Sequence, residues 1–189
     1  MKKVNKIFAL LMLVVLVSPL LNSCKKGEND PFLSLKSREG RLKGEWNLTE
    51  GTETGTYGSS SYTVTYTETL ATATYGGNSS SYAYTETFEF LKANEFKSTV
   101  NNDGDITTCD GFWAFMDGYD EIANKEMLVI RLKSQTSGGT ITSWTGDDMP
   151  SYILRFDKLS GSEAIIAADG STVGTSTNTS TSTKTYTKK

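Results

Sequence analysis

From Trp46 to the end of the chain, apolar and polar residues alternate with a period of two, the pattern of strands with one buried and one wet face. The clearest run is 62–70, where Tyr62, Val64, Tyr66 and Leu70 share one face and threonines the other. A second run, 82–90, places Tyr82, Tyr84, Phe88 and Phe90 in step, and Gly76-Gly77-Asn78 supplies the turn between them. The two runs echo each other, Tyr66-Thr67-Glu68-Thr69 returning as Tyr84-Thr85-Glu86-Thr87; one echo is too few for a solenoid. Further strands are expected at 95–100, 106–115, 127–133, 140–144, 152–159 and 163–168, separated by turn signals such as Asn101-Asn102-Asp103-Gly104, Ser137-Gly138-Gly139 and Asp169-Gly170.

Helical spacing is confined to 33–42, where Ser37 is a candidate N-cap and Leu35 and Leu42 share a face. The Ser/Thr-rich tail 171–189 reads either as a low-complexity end or as a last strand packing Tyr186, and the strand is expected because threonine favours extended backbone. Counted from Trp46, the chain supplies eight to ten strands, so an all-β sandwich or barrel follows. Closure into a barrel would remove the exposed edges.

The first 23 residues follow a different logic. Lys2, Lys3 and Lys6 precede an apolar run, 7–17, that is too short to span a bilayer, which takes roughly 20 residues. Ser18 and Pro19 break the run, and Leu21-Asn22-Ser23-Cys24 then resembles the lipobox of bacterial lipoproteins, in which the signal is removed and fatty acyl chains, palmitate among them, are attached to the cysteine. Residues 1–23 are thus expected to be a signal peptide and Cys24 the lipidated residue. Residues 24–31 are polar with nothing to bury and read as a flexible tether, leaving 32–189 as a single domain. Such an address implies the cell envelope, an outer-membrane lipoprotein on its periplasmic face or at the cell surface, with the lipid as its contact to the membrane.

Losing the three signal lysines takes the formal charge from −3 to −6, and with no basic patch a nucleic-acid partner is not expected. Cys24 and Cys109 are the two cysteines, so with Cys24 lipidated the fold must rest on packing rather than an intrachain disulfide. The chain has no histidine, which removes the commonest general base and metal ligand.

The short helical lead-in followed by Gly44-Glu45-Trp46 resembles the glycine-x-tryptophan opening of the lipocalins. The phrases Asp30-Pro31-Phe32-Leu33 and Arg41-Leu42-Lys43-Gly44-Glu45-Trp46, then Phe88-Glu89-Phe90, Gly111-Phe112-Trp113-Ala114-Phe115 and Tyr152-Ile153-Leu154-Arg155-Phe156, are similar in order to small lipocalin-like lipoproteins of the Bacteroidetes. The second lipocalin signature, Thr-Asp-Tyr, is not present. The resemblance implies a single antiparallel up-and-down β-barrel, Gly44 and Trp46 plugging one end, a basic residue packed on that tryptophan with Arg155 and Arg131 as candidates, and a small hydrophobic ligand inside.

Candidate chemistry is sparse. The serine runs 59–61 and 79–81 read as turns, and Cys109 reads as a packed or free thiol without a histidine to activate it. Asp103, Asp105 and Asp110 miss the spacing of a calcium-binding loop and read as a turn. Glu68 and Glu86 each lie in register with an aromatic strand face, which aims both into the barrel. Of the residues on those faces, Tyr66, Tyr84, Glu86, Phe88, Phe90 and Trp113 are the candidate ligand contacts, although small barrels also fill themselves with such side chains. No enzyme, metal or cofactor is expected. The leading expectation is an envelope lipoprotein holding a small hydrophobic ligand, and the alternative is a structural or interaction protein with a filled barrel and an unknown protein partner.

Overall fold

The computed structural model describes residues 37–58, 60–116, 126–170 and 179–189. The signal, Cys24, the tether and the first residues of the expected helix lie outside them. Among the described residues one α-helix, α1 (Arg38–Leu42), precedes eleven strands. These are β1 (Gly44–Tyr57), β2 (Ser60–Thr67), β3 (Leu70–Tyr75), β4 (Asn78–Phe90), β5 (Glu95–Asn102), β6 (Asp105–Met116), β7 (Glu126–Ser137), β8 (Thr140–Ser143), β9 (Ser151–Leu159), β10 (Glu163–Gly170) and β11 (Thr179–Lys188).

Every neighbouring pair is antiparallel, and β11 returns to pair with β1, so β1 to β7 and β9 to β11 close a ten-strand barrel. β8 and β9 lie in line along one edge of β7. Trp144 N–H donates to the Lys133 carbonyl and Leu132 N–H to the Pro150 carbonyl, so the ladder continues across the break between the two strands. The meander expected from the sequence is therefore the fold observed.

The two ends of the wall differ. Gly44 to Asn47 of β1 pair directly with Phe90 to Thr87 of β4, whereas farther along β1 pairs with β2 and the β2–β3 hairpin stands between β1 and β4. Eight strands enclose the first end and ten the second, so the barrel flares, because diameter grows with strand number. Turns 76–77, 103–104 and 138–139 lie at the wide end, each with φ positive at both residues, the geometry that matches strand twist in two-residue hairpins.

The run 62–70 is not one strand. Thr67 Oγ1 accepts from Leu70 N–H at 3.2 Å and donates to the Leu70 carbonyl at 3.3 Å, closing a turn over Glu68 and Thr69. These local hydroxyl bonds compete successfully with continued extension. Leu70 is consequently 48% exposed at the start of β3 rather than inside the barrel, and Glu68 is exposed on the turn.

The narrow end carries the plug. Ser37 Oγ accepts from Gly40 N–H and caps α1, whose Arg41 and Leu42 are buried. Trp46, 1% exposed, donates from Nε1 to the Leu42 carbonyl at 2.6 Å, fixing the helix over the barrel floor. The basic residue on this tryptophan is Lys188, its register partner on β11, with Nζ 5.0 Å from the ring centroid. Gly44, at φ +133°, leaves the space Lys188 crosses: a Cβ there would fall 2.5 Å from Lys188 Cε.

The threonine-rich composition is explained by the outer face of the wide end. Register places Thr183, Thr52, Thr65, Thr72 and Ser81 side by side across five strands, with Thr181, Thr54, Thr63, Thr74 and Ser79 in the next row. Hydroxyls pair across strands, as in Thr54 with Thr181 (3.2 Å) and Thr72 with Ser81 (2.8 Å).

Candidate functional site

A bulge in β1 decides what the barrel interior contains. Trp46 and Leu48 face inward, and the register against β11 then slips between Leu48 and Glu50. The extra residue reverses the alternation. Thr52, Thr54 and Thr56 turn outward and Gly51, Glu53 and Gly55 inward. On β11 the inward set is Lys184, Tyr186 and Lys188, and on β4 it is Tyr84, Glu86, Phe88 and Phe90.

These side chains form a hydrogen-bonded column. Glu53 accepts from the Tyr62 hydroxyl (2.8 Å) and the Tyr66 hydroxyl (3.1 Å). Glu86, 8% exposed, accepts from Tyr84 (2.9 Å) and from Lys184 Nζ (2.6 Å), both at Oε2. The two carboxylate clusters meet where the Tyr66 and Tyr84 rings lie 5.0 Å apart, with Lys184 Nζ 4.5 Å from the Tyr66 ring centroid.

Glycines make the column fit. A Cβ on Gly51 would stand 2.8 Å from Lys184 Cγ, and one on Gly55 would stand 2.7 Å from the Tyr62 ring and hydroxyl, so both long side chains lie across bare backbone. Burial and then the neighbouring Glu86 push the Tyr84 and Tyr186 hydroxyls well above the ordinary tyrosine value; burial and then Glu53 do the same for Tyr66. All three phenols are held neutral, and Tyr66 and Tyr84 act as donors.

Beside the column, on the side of β5, β6, β7 and β9, lies a cavity of about 270 Å³. Phe88, Phe96, Val100, Ile130 and Leu154 give it apolar walls, and Glu86, Ser98 and Gln135 supply polar groups. Cys109 places its thiol on the same wall, with a proton affinity raised chiefly by burial. Tyr152, 54% exposed, stands at the edge.

Of the candidate contacts, Glu86 and Phe88 line this cavity and Tyr66 and Tyr84 belong to the adjoining column. Phe90 and Trp113, each 2% exposed and packed edge to face at 6.2 Å, belong to the core and not to the cavity wall. Glu86 faces inward as expected and Glu68 does not, the turn at 68–69 having removed it from the strand. Glu53 and Lys184 were not among the expected site residues, and Tyr186 was expected to pack on a last strand but not at the site. Glu53 was hidden by the bulge, whereas Lys184 and Tyr186 are two apart and could have been read as one strand face.

Among the described residues there is no group of three or more side chains placed to hold a metal ion, and no helix long and apolar enough to cross a membrane. No protein-family model, curated protein or solved structure matches the chain.

Proposed function

We propose that this chain is a lipid-anchored lipoprotein of the cell envelope, tethered to the outer membrane through Cys24, whose lipocalin-like barrel binds a small hydrophobic molecule in the cavity beside Glu86. The observation that carries the binding role is the cavity itself. A barrel filled only for stability closes its interior with side chains. Here the aromatic and aliphatic walls contact open space next to a few converging polar groups, the usual make-up of a small-molecule site. The anchoring role rests on the basic start, the short apolar run and the Leu21-Asn22-Ser23-Cys24 phrase.

Native mass spectrometry of protein purified from its host tests the binding role, with a bound small molecule as the expected result. Val100→Trp, which fills the cavity, should give the apo mass while retaining the β-rich circular dichroism spectrum. An apo mass for the native chain, together with no uptake of apolar fluorescent probes, would overturn this role in favour of an envelope interaction protein. For the anchor, the intact mass of the mature N-terminus should carry acyl chains, and Cys24→Ser should release the domain in soluble form.

A further inference from the structure

The interior of the wide end is unbalanced in charge. Glu53 and Glu86 bring two carboxylates to the column and Lys184 one ammonium, while the phenols between them stay protonated. Lys184 is already committed, with its Nζ 2.6 Å from Glu86 Oε2 and its charge over the Tyr66 ring. The cavity therefore offers no uncommitted cation from this column to an incoming group, and among the described residues the charged side chain on its wall is Glu86.

Glu86 retains capacity. A carboxylate accepts up to about four hydrogen bonds. Tyr84 and Lys184 occupy two, both on Oε2. The remaining acceptor positions belong to a side chain that lines the cavity, and Ser98 and Gln135 complete a small polar set on the same wall. At about 270 Å³ the space lies below the roughly 300 to 1,000 Å³ of drug-sized sites, which suits a body of one ring or a short chain. Phe88, Phe96 and Tyr152 favour a ring.

We propose that the cavity selects a small amphipathic molecule whose head group donates hydrogen bonds to Glu86, an amine or an alcohol on a compact aromatic body, and rejects the corresponding carboxylate. This rests on the ligand-binding reading given above. A donor head fills an open acceptor position on Glu86. A carboxylate head would meet Glu86 in a site of low dielectric, with Lys184 already paired, and like charges brought together there repel strongly.

Three compounds with one body and different heads test this: phenethylamine, phenethyl alcohol and phenylacetate, each titrated calorimetrically into the purified mature chain. Alkylation of Cys109 by iodoacetamide, followed on the Cys109 peptide by mass spectrometry, localises binding, because a ligand in the cavity shields that thiol. The amine and the alcohol should bind at least about tenfold more tightly than phenylacetate, and both should slow Cys109 alkylation. In the charge-balanced double variant Glu86→Gln with Lys184→Gln, the preference for amine over carboxylate should collapse. Phenylacetate binding as tightly as the others would overturn the head-group selection and leave the cavity reading standing. No heat and no protection from any of the three would overturn both. If the double variant fails to fold, the order of affinities in the native chain still decides.

Discussion

Lys188 and Trp46 face each other across the first and last strands, the ammonium 5.0 Å from the indole centroid and donating at 2.8 Å to the Arg41 carbonyl. One side chain thus ties β11, β1 and α1 together at the narrow end. Trp46→Ala removes the buried indole and its bond to the Leu42 carbonyl, and should cost about 3 to 5 kcal/mol in denaturant titrations. Lys188→Met keeps the aliphatic stem and loses the charge over the ring, a smaller loss of roughly 0.5 to 2 kcal/mol. A Trp46→Ala midpoint equal to the native one would show that the indole does not hold the plug.

Arg41 and Glu126, each 1% exposed, form an ion pair at 2.6 Å between the helix and the first residue of β7. Removing one partner takes a 2.6 Å ion pair from a charge that stays buried. Arg41→Met or Glu126→Met alone should therefore cost about 3 to 5 kcal/mol, whereas the double replacement should recover much of that loss. A double-mutant cycle measures the coupling, and strictly additive losses would contradict it.

Strand content was legible because alternation survives wherever one face is buried: residues 82–90 and 106–115 fall within β4 and β6, and the Ser/Thr tail ends in β11. Register was not legible. A single extra residue at Thr49 moves Glu53 from the wet face to the interior, and nothing in the composition of β1 marks the bulge. The turn at 68–69 was also concealed, since it is closed by Thr67, a residue that reads as strand. Glu86 could be placed because its strand carries no such irregularity among its aromatic residues. Its partner Lys184 lies 98 positions away, a pairing that only barrel closure creates.

Gly51 and Lys184 are matched by the absence of a side chain. Gly51→Ala would put a Cβ 2.8 Å from Lys184 Cγ and 3.1 Å from the Thr183 carbonyl oxygen, so part of the clash is with backbone that cannot rotate away. The expected result is a loss of about 1 to 3 kcal/mol. Displacement of the ammonium from Glu86 should accompany it. Gly77→Ala makes the contrast: it has open space around it, and strain at its φ of +83° is the expected source of its cost. A crystal structure or the Lys184 Nζ resonance in the Gly51→Ala protein checks the displacement, and an unmoved Lys184 would refute it.

Tyr66, Tyr84 and Tyr186 set the alkaline limit of the fold. Their hydroxyls bind protons more tightly in the folded chain than the ordinary value near 10, because burial disfavours the phenolate and Glu53 or Glu86 lies beside it. Below that value both states hold the proton and these groups contribute no pH dependence. Above it the unfolded chain ionises while the folded chain does not, so the unfolded state binds fewer protons and stability falls as pH rises. Each such phenol contributes a slope of about 1.4 kcal/mol per pH unit beyond its unfolded pKa. Urea midpoints should therefore be insensitive to these residues through neutral and mildly alkaline pH and drop steeply above about pH 10. Tyr84→Phe should make that drop shallower, whatever it does to stability at neutral pH. Tyrosinate absorbance follows the same event, and these three hydroxyls should ionise only together with unfolding. A gradual titration of all tyrosines near 10 without loss of structure would show that the column does not hold its protons.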